Sequence, residues 1–172
     1  MALALAGALI LSLTAAGLAQ AVNSDQSVAV TLAHSKAGTA EVGGGKAAGL
    51  ALGQREDLTV TAYDGPGGKA VILHVTGTKP LKIDSVIVGK LVPDSGAFGR
   101  KLVVAIPANL QQPLGGVYAT LTSFMTKVGG SSKGTPYVAL KGCSGGKLKF
   151  KGDFVFTDGS KQSPTSTSSC TK

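Results

Sequence analysis

The sequence predicts an all-β protein, an antiparallel β-sandwich of about eight or nine short strands, immunoglobulin-like or jelly-roll-like. Three observations predict it. Apolar residues recur at every second position in several segments, the period of a strand with one buried face. Glycine is abundant, 25 residues of 172, and it clusters with Pro, Asp and Ser between those segments, where such residues make turns. No helical pattern of about 10–15 residues separates the strands, which argues against a parallel α/β sheet.

Taken in order, Ser27–Ala33 (SVAVTLA) alternates Val28, Val30 and Leu32. Residues 34–56 are rich in Gly and Ala and are expected to form a loop with at most a short strand or helical turn. Asp57–Tyr63 (DLTVTAY) alternates Leu58, Val60 and Ala62, and Asp64-Gly65-Pro66-Gly67-Gly68 supplies a turn. Ala70–Thr76 (AVILHVT) is apolar on both faces and reads as an interior strand. Ile83–Leu91 and Arg100–Ile106 follow, separated by Pro93-Asp94-Ser95-Gly96. Gly116–Val128 is long enough to bend or carry a bulge, and Pro136–Lys141 is short. Lys147–Thr157 and Lys161–Ser169 complete the set. The clearest pattern is LKFKGDFVF. Leu148, Phe150, Phe154 and Phe156 take even positions, while Lys147, Lys149, Lys151 and Asp153 take odd ones. This predicts phenylalanines on the core face, lysines in water, and a hairpin turn at Asp158-Gly159.

Residues 1–21 (MALALAGALILSLTAAGLAQA) carry no charged side chain. Leu3–Leu13 has the length of a secretory apolar core, and Ala19-Gln20-Ala21 gives the small-x-small pattern read by signal peptidase. Cleavage there would leave Val22 first. The alternatives are an uncleaved anchor, weakened by Ser12, Thr14, Gly17 and Gln20, and a buried N-terminal helix. Residues 22–172 read as one domain, with no membrane span left after cleavage. This length can bury roughly two-thirds of the surface of the unfolded chain. Hydrophobic residues at 43% exclude wholesale disorder. A formal charge of +8 attracts anionic polymers or membranes without a shaped site. For an exported protein, an anionic wall polymer or another envelope protein fits better than nucleic acid.

Cys143 and Cys170 bracket the predicted C-terminal hairpin. In an oxidising compartment an intramolecular bridge between them would contribute about 3.5 kcal/mol by chain entropy. Two free thiols or an intermolecular bond are the other readings. A metal site is not expected, since two cysteines without a neighbouring histidine leave coordination unfilled.

The run Asn109-Leu110-Gln111-Gln112-Pro113-Leu114, then YATLTSF, TPYVALKGC and GGKLKFKGDFVFTDGS with a final Cys, resembles an uncharacterised family of exported β-rich bacterial proteins of the high-GC Gram-positive type. The similarity covers roughly Gly99 to Cys170, and more loosely Leu50 to Leu91. It implies export and a paired C-terminal cysteine framework, and no activity. Many members have a longer N-terminal part.

No motif predicts catalysis, a metal or a cofactor. Gly130-Ser131-Ser132-Lys133-Gly134 and Gly142-Cys143-Ser144-Gly145-Gly146 match G-x-S-x-G, but both fall between strands, where Gly and Ser are good turn formers. His34 lies in the Gly/Ala-rich segment; His74, mid-strand, reads as a hydrogen-bonded strand residue rather than a general base. Gly43-Gly44-Gly45-Lys46 lacks the spacing and hydroxyl of a phosphate-binding loop. Lys147, Lys149 and Lys151, with Lys141 and Lys161 near them, form a candidate ridge for an anionic polymer; the plainer role of such lysines is to keep an exposed strand from aggregating. Tyr63, Phe98 and Tyr137 are candidate exposed aromatic contacts. The expected function is therefore a non-catalytic structural or binding role at the cell envelope. The alternatives are a secreted hydrolase, with His34 or His74 meeting a distant carboxylate, and a module for a protein or apolar ligand.

Overall fold

The computed structural model describes residues 9–14, 41–94, 98, 100–129, 131–132, 135–136 and 146–169. Their main feature is a large, curled, antiparallel seven-stranded sheet. Its strands are β1 (Leu9–Thr14), β2 (Glu41–Ala51), β3 (Gln54–Asp64), β4 (Ala70–Gly77), β5 (Ile83–Pro93), β6 (Arg100–Val104) and β7 (Thr120–Val128). The order across the sheet is β1-β7-β2-β3-β4-β5-β6. From β2 to β6 the chain is a meander, each strand pairing with the next. A short helix, α1 (Ala108–Gln111), interrupts the return to β7, which then pairs with β2.

The period-two pattern explains the sheet's two faces. Val60 and Ala62 of β3, Leu73 and Val75 of β4, Ile87 of β5 and Val128 of β7 are buried together with Val42 and Ala47 of β2. The alternate positions Thr59, Asp84, Met125 and Lys127 are exposed. Ile106 and Leu110 from the α1 segment pack on this cluster, beside Leu58, Leu121 and Phe124. Ser85, buried, donates its hydroxyl to Asn109 at 3.2 Å and ties α1 to β5. Each fully buried aliphatic side chain contributes about 1.5–3 kcal/mol. β4 is interior as expected, but only one of its faces is fully buried; Ile72, His74 and Thr76 are half-buried.

The largest departure from expectation is β2. Residues 41–51 form an 11-residue strand in the body of the sheet, not a loop. Its glycines have low strand propensity, so the pattern did not reveal it. Tertiary packing requires them instead. A Cβ on Gly45 would sit 1.8 Å from the Met125 carbonyl oxygen of β7, so only glycine lets the strands close. A bulge follows: Thr122 stands between the pairs Ala48↔Ser123 and Gly49↔Leu121, and donates its hydroxyl to the Ala48 carbonyl at 3.0 Å.

Other boundaries shift for identifiable reasons. β7 starts at Thr120, because Leu114–Val117 is taken up by an isolated bridge with Gly115 and Gly116 in its turn. The predicted strands 147–157 and 161–169 each break once, into β10 (Lys147–Lys151) and β11 (Phe154–Val155), and β12 (Lys161–Gln162) and β13 (Thr165–Ser169). The breaks face each other at Gly152 and Pro164, where proline has no N–H to give the ladder. Pro136, the first residue of the expected strand 136–141, lies in the tiny hairpin of β8 (Ser131–Ser132) with β9 (Thr135–Pro136), and 137–141 lie outside the described residues. Ser27–Ala33 lies outside the described residues. So do most of residues 1–21, although Leu9–Thr14 of that stretch pairs with β7 as β1. Among the described residues no helix is long and apolar enough to cross a membrane.

Glu56, on β3, is 4% exposed, and its Oε2 accepts the Leu81 N–H at 2.9 Å, fastening the β4–β5 loop.

Replacing Gly45 with Val should force β7 away from β2 and cost about 2–3 kcal/mol or more. Urea unfolding with fluorescence or circular dichroism measures it, and a loss below about 0.5 kcal/mol would show that the strands do not approach this closely.

Candidate functional site

The C-terminal ribbon, residues 147–169, is where the structure assembles the predicted basic residues. β10 pairs with β13 from Lys147↔Ser169 to Lys151↔Thr165, and β11 with β12 at Phe154↔Gln162 and Val155↔Lys161. Between them the Gly152 N–H donates to the Pro164 carbonyl at 2.9 Å. The register is the same on both sides of the break, so the ribbon is one hairpin. Its turn is closed by Gly159 N–H to the Phe156 carbonyl at 2.9 Å and Phe156 N–H to the Ser160 carbonyl at 3.0 Å. Gly159 has φ 80°, the left-handed value of a three-residue hairpin loop. Asp158 accepts the Ser160 N–H at 2.8 Å and fixes the turn further. The hydroxyl and amide of Ser160 hold the Asp158 carboxyl below its ordinary range.

Constant register decides which side chains share a face. Directly paired residues lie on the same side, and the side alternates along each strand. One face therefore carries Lys147, Lys149, Lys151, Asp153 and Val155 from one strand, and Lys161, Ser163, Thr165, Thr167 and Ser169 from the other. All but the half-buried Val155 are exposed. Lys147, Lys149 and Lys151 run down one strand opposite the hydroxyls of Ser169, Thr167 and Thr165, and Lys161 stands on the other strand opposite Val155. On the other face Phe150, Phe154 and Phe156 are half-buried. The expected alternation holds, but these rings do not join the buried cluster of the main sheet.

The array has one internal neutralisation. Lys151 Nζ lies 2.9 Å from Asp153 Oδ1, and the Ser163 hydroxyl donates to the same oxygen at 2.7 Å. The Lys151 ammonium and the Ser163 hydroxyl together hold the Asp153 carboxyl below the usual carboxylate range, with Lys101 of β6 adding to the positive field. Lys101 is exposed and belongs to the same basic region. Sequence reading missed it because it lies some fifty residues away on another strand, with nothing local to link it to the ribbon.

The remaining candidates are dispersed. Lys141, Cys143, Cys170, His34 and Tyr137 lie outside the described residues. Phe98 is exposed and Tyr63 is half-buried on β3. Tyr118, grouped by pattern with the long strand, instead precedes β7 and is 54% exposed. Gly43-Gly44-Gly45-Lys46 is strand, hydrogen-bonded on both sides, so its amides cannot cradle a phosphate as a loop would. Ser131 and Ser132 sit in β8, not at a strand-to-helix turn.

His74 does meet a carboxylate. Its Nε2 is 2.7 Å from Asp84 Oδ1 across β4 and β5. The pair lies on the outer face of the sheet, with the side chains 37% and 70% exposed. A carboxylate of this kind orients an imidazole; acyl transfer further needs a nucleophile on the other ring nitrogen and donors for an oxyanion, and no such hydrogen bond to His74 occurs among the described residues. A depression of about 340 Å³ opens on the same outer face over Ala48, lined by Lys46, Arg55, Asp57, Thr59 and Ser123. Arg55 and Asp57 pair with each other at 2.8 Å, and Lys46 donates to the neutral Thr59 hydroxyl at 3.1 Å.

With this geometry in hand, comparison with known proteins adds no relative: no family model, no curated protein and no solved structure matches the chain.

Because the folded-state value of Asp153 is depressed, its contact with Lys151 contributes stability above the ordinary carboxylate range. That contribution disappears as pH falls through the depressed value. Replacing Lys151 with Ala should return the Asp153 titration upward toward an ordinary aspartate, read by carboxyl-carbon NMR. An unchanged midpoint would show that Lys151 does not set it.

Proposed function

We propose that the protein is an exported, non-catalytic β-domain that binds anionic polymers of the cell envelope through the lysine-and-hydroxyl face of the β10–β13 ribbon. The observation that carries this reading is the uninterrupted register from Lys147↔Ser169 to Val155↔Lys161, which aligns four lysines on one exposed face. Lysines two residues apart on a strand stand about 6.6 Å apart. Such a row meets successive charges of an extended polyanion better than it meets one compact ligand. The opposing Ser and Thr hydroxyls give neutral donors for phosphate or carboxylate oxygens. Lys151 is committed to Asp153, which leaves Lys147, Lys149 and Lys161 as the principal contacts.

In this proposal residues 1–21 are the cleaved leader, and 22–172 form one domain of sandwich type, with the ribbon as part of its second layer. The pairing of Cys143 with Cys170 would join the two ends of the ribbon region and keep the Ser/Thr-rich β13 on β10. The resemblance of residues 99–170 to exported bacterial proteins supports the same compartment. The hydrolase alternative draws on the His74–Asp84 contact, but an open sheet face offers no exclusion of water. The apolar-ligand alternative rests on the depression over Ala48, where Ala47, Ala48 and Leu58 line a site that also carries Lys46, Arg55 and Asp57.

The test is retention of the purified mature protein on anionic wall polymer across a salt series. Binding should weaken with salt at a log–log slope of about −2, as for roughly three neutralised charges on a flexible polyanion. Substituting Lys147, Lys149 and Lys161 together by Ala should abolish retention without changing the circular dichroism spectrum. Retention that is indifferent to these lysines, or absent at low salt, would overturn the reading.

A further inference from the structure

We propose that the β2–β3 turn is a membrane-contacting tip, which seats Leu50, Leu52 and Tyr118 at the surface of a lipid bilayer with anionic headgroups. The turn itself is the starting point. Ala51 pairs with Gln54, so the loop is two residues, Leu52 and Gly53. Both have positive φ, 54° and 71°, as in the type I′ turn of a tight hairpin. Asn-Gly is the pair that suits this turn. A leucine held in the left-handed region is strained, and strain of this kind clusters where a side chain has a use beyond the fold. This leucine is also 60% exposed.

Its neighbours repeat the pattern. Leu50 stands opposite Thr120, the first residue of β7. Tyr118 and the Leu114–Val117 turn therefore leave the sheet at the same end as the β2–β3 turn. Leu50, Leu52, Leu114 and Tyr118 are all exposed. The sequence around them is free of charge: no charged residue lies between Lys46 and Arg55, and none between Lys101 and Lys127. Exposed apolar side chains gathered in one place mark an interaction site.

Charge decides which partner fits. A tip that carries no charged group enters the headgroup boundary without a large desolvation cost, and tyrosine favours that boundary. Basic groups stand just behind it. Arg55 lies opposite Leu50, and Lys46 is four residues back on β2, about 13 Å. Both line the depression over Ala48, which is two residues from Leu50 on the same outer face. Asp57 pairs with Arg55, whereas Lys46 bonds the neutral Thr59 hydroxyl and has no carboxylate partner among the described residues. Interfacial anchors sink roughly 5–10 Å into the boundary between headgroups and acyl chains. With Leu52 at that depth, Lys46 stands at the level of the lipid phosphates. A cation set behind an apolar tip matches the order of phosphate and acyl chain in an anionic lipid.

The chain has no tryptophan, so Leu52→Trp places a single fluorescent reporter at the tip. With vesicles of phosphatidylcholine and phosphatidylglycerol, its emission should shift to the blue and be quenched by lipids brominated along the acyl chain. Emission that neither shifts nor is quenched would overturn the inference. Leu52→Asn gives the turn a residue it prefers. Thermal stability should therefore hold or rise, while vesicle affinity in co-sedimentation falls about tenfold. Unchanged affinity would assign vesicle binding to another surface, such as the ribbon lysines, and overturn the inference. Lys46→Gln should weaken binding to the anionic vesicles and leave binding to pure phosphatidylcholine as it was; an equal effect on both would refute the anionic partner. A dimer that Leu52→Asn dissolves in sedimentation, without vesicle binding, would seat a second copy on the tip and also refute it. If Leu52→Trp does not fold, the Leu52→Asn comparison decides. Retention on anionic wall polymer should be the same for Leu52→Asn and the unmodified protein, so this inference and the ribbon reading stand or fall separately.

Discussion

The sheet depends on the close approach of three strands at the glycines of β2. β3 and β7 flank this strand, and β7 is separated from it in sequence by most of the described chain. At Gly45 the backbone of β7 comes so near that a Cβ would meet the Met125 carbonyl oxygen at 1.8 Å. Strand glycines are unfavourable in isolation, because they forgo side-chain packing and cost backbone entropy. Here that local cost is offset by long-range pairing: β2 has neighbours on both sides, and the meander β2–β6 is joined to the returning β7. The buried cluster of Val42, Val60, Leu73, Ile87 and Val128 draws on β2, β3, β4, β5 and β7 together, and it exists only while β2 connects them.

This constraint also explains how much of the fold was legible. β3 followed from alternation, β4 from its apolar run, and β5 and β6 as segments set off by the turn residues Pro93-Asp94-Ser95-Gly96. The glycines and alanines of β2 could not be read that way. Their role is set by atoms of β7 some eighty residues on, and no local window contains that information. Breaks at Gly152 and Pro164 were legible in principle, since proline cannot donate to a ladder. They matter little, because register passes through them unchanged. Glu56 was invisible as a structural residue: a carboxylate buried to receive the Leu81 amide looks in sequence like any strand-end charge.

The candidate site divides similarly. Alternation alone put Lys147, Lys149 and Lys151 on one exposed side. The register of the hairpin was needed to bring Lys161 and the hydroxyls of Ser163, Thr165 and Thr167 onto that same side, and to show that Asp153 ties up Lys151. Lys101 entered only through space. His74 illustrates the opposite limit. Its partner Asp84 is ten residues away, within one hairpin, yet the contact is an exposed cross-strand pair and not a buried acid–base site. A basic surface on a ribbon and a sheet with one buried face are compatible physical demands, because each uses one parity of a two-residue period.

The most direct test of this account is an NMR measurement of contacts around Gly45. Cross-strand nuclear Overhauser effects should join Gly45 to Val60 on one side and to Thr126 on the other, with extended-strand chemical shifts throughout 41–51. Random-coil shifts for these residues, or contacts to Val60 without any to Thr126, would contradict the placement of β2 in the body of the sheet and the fold built around it.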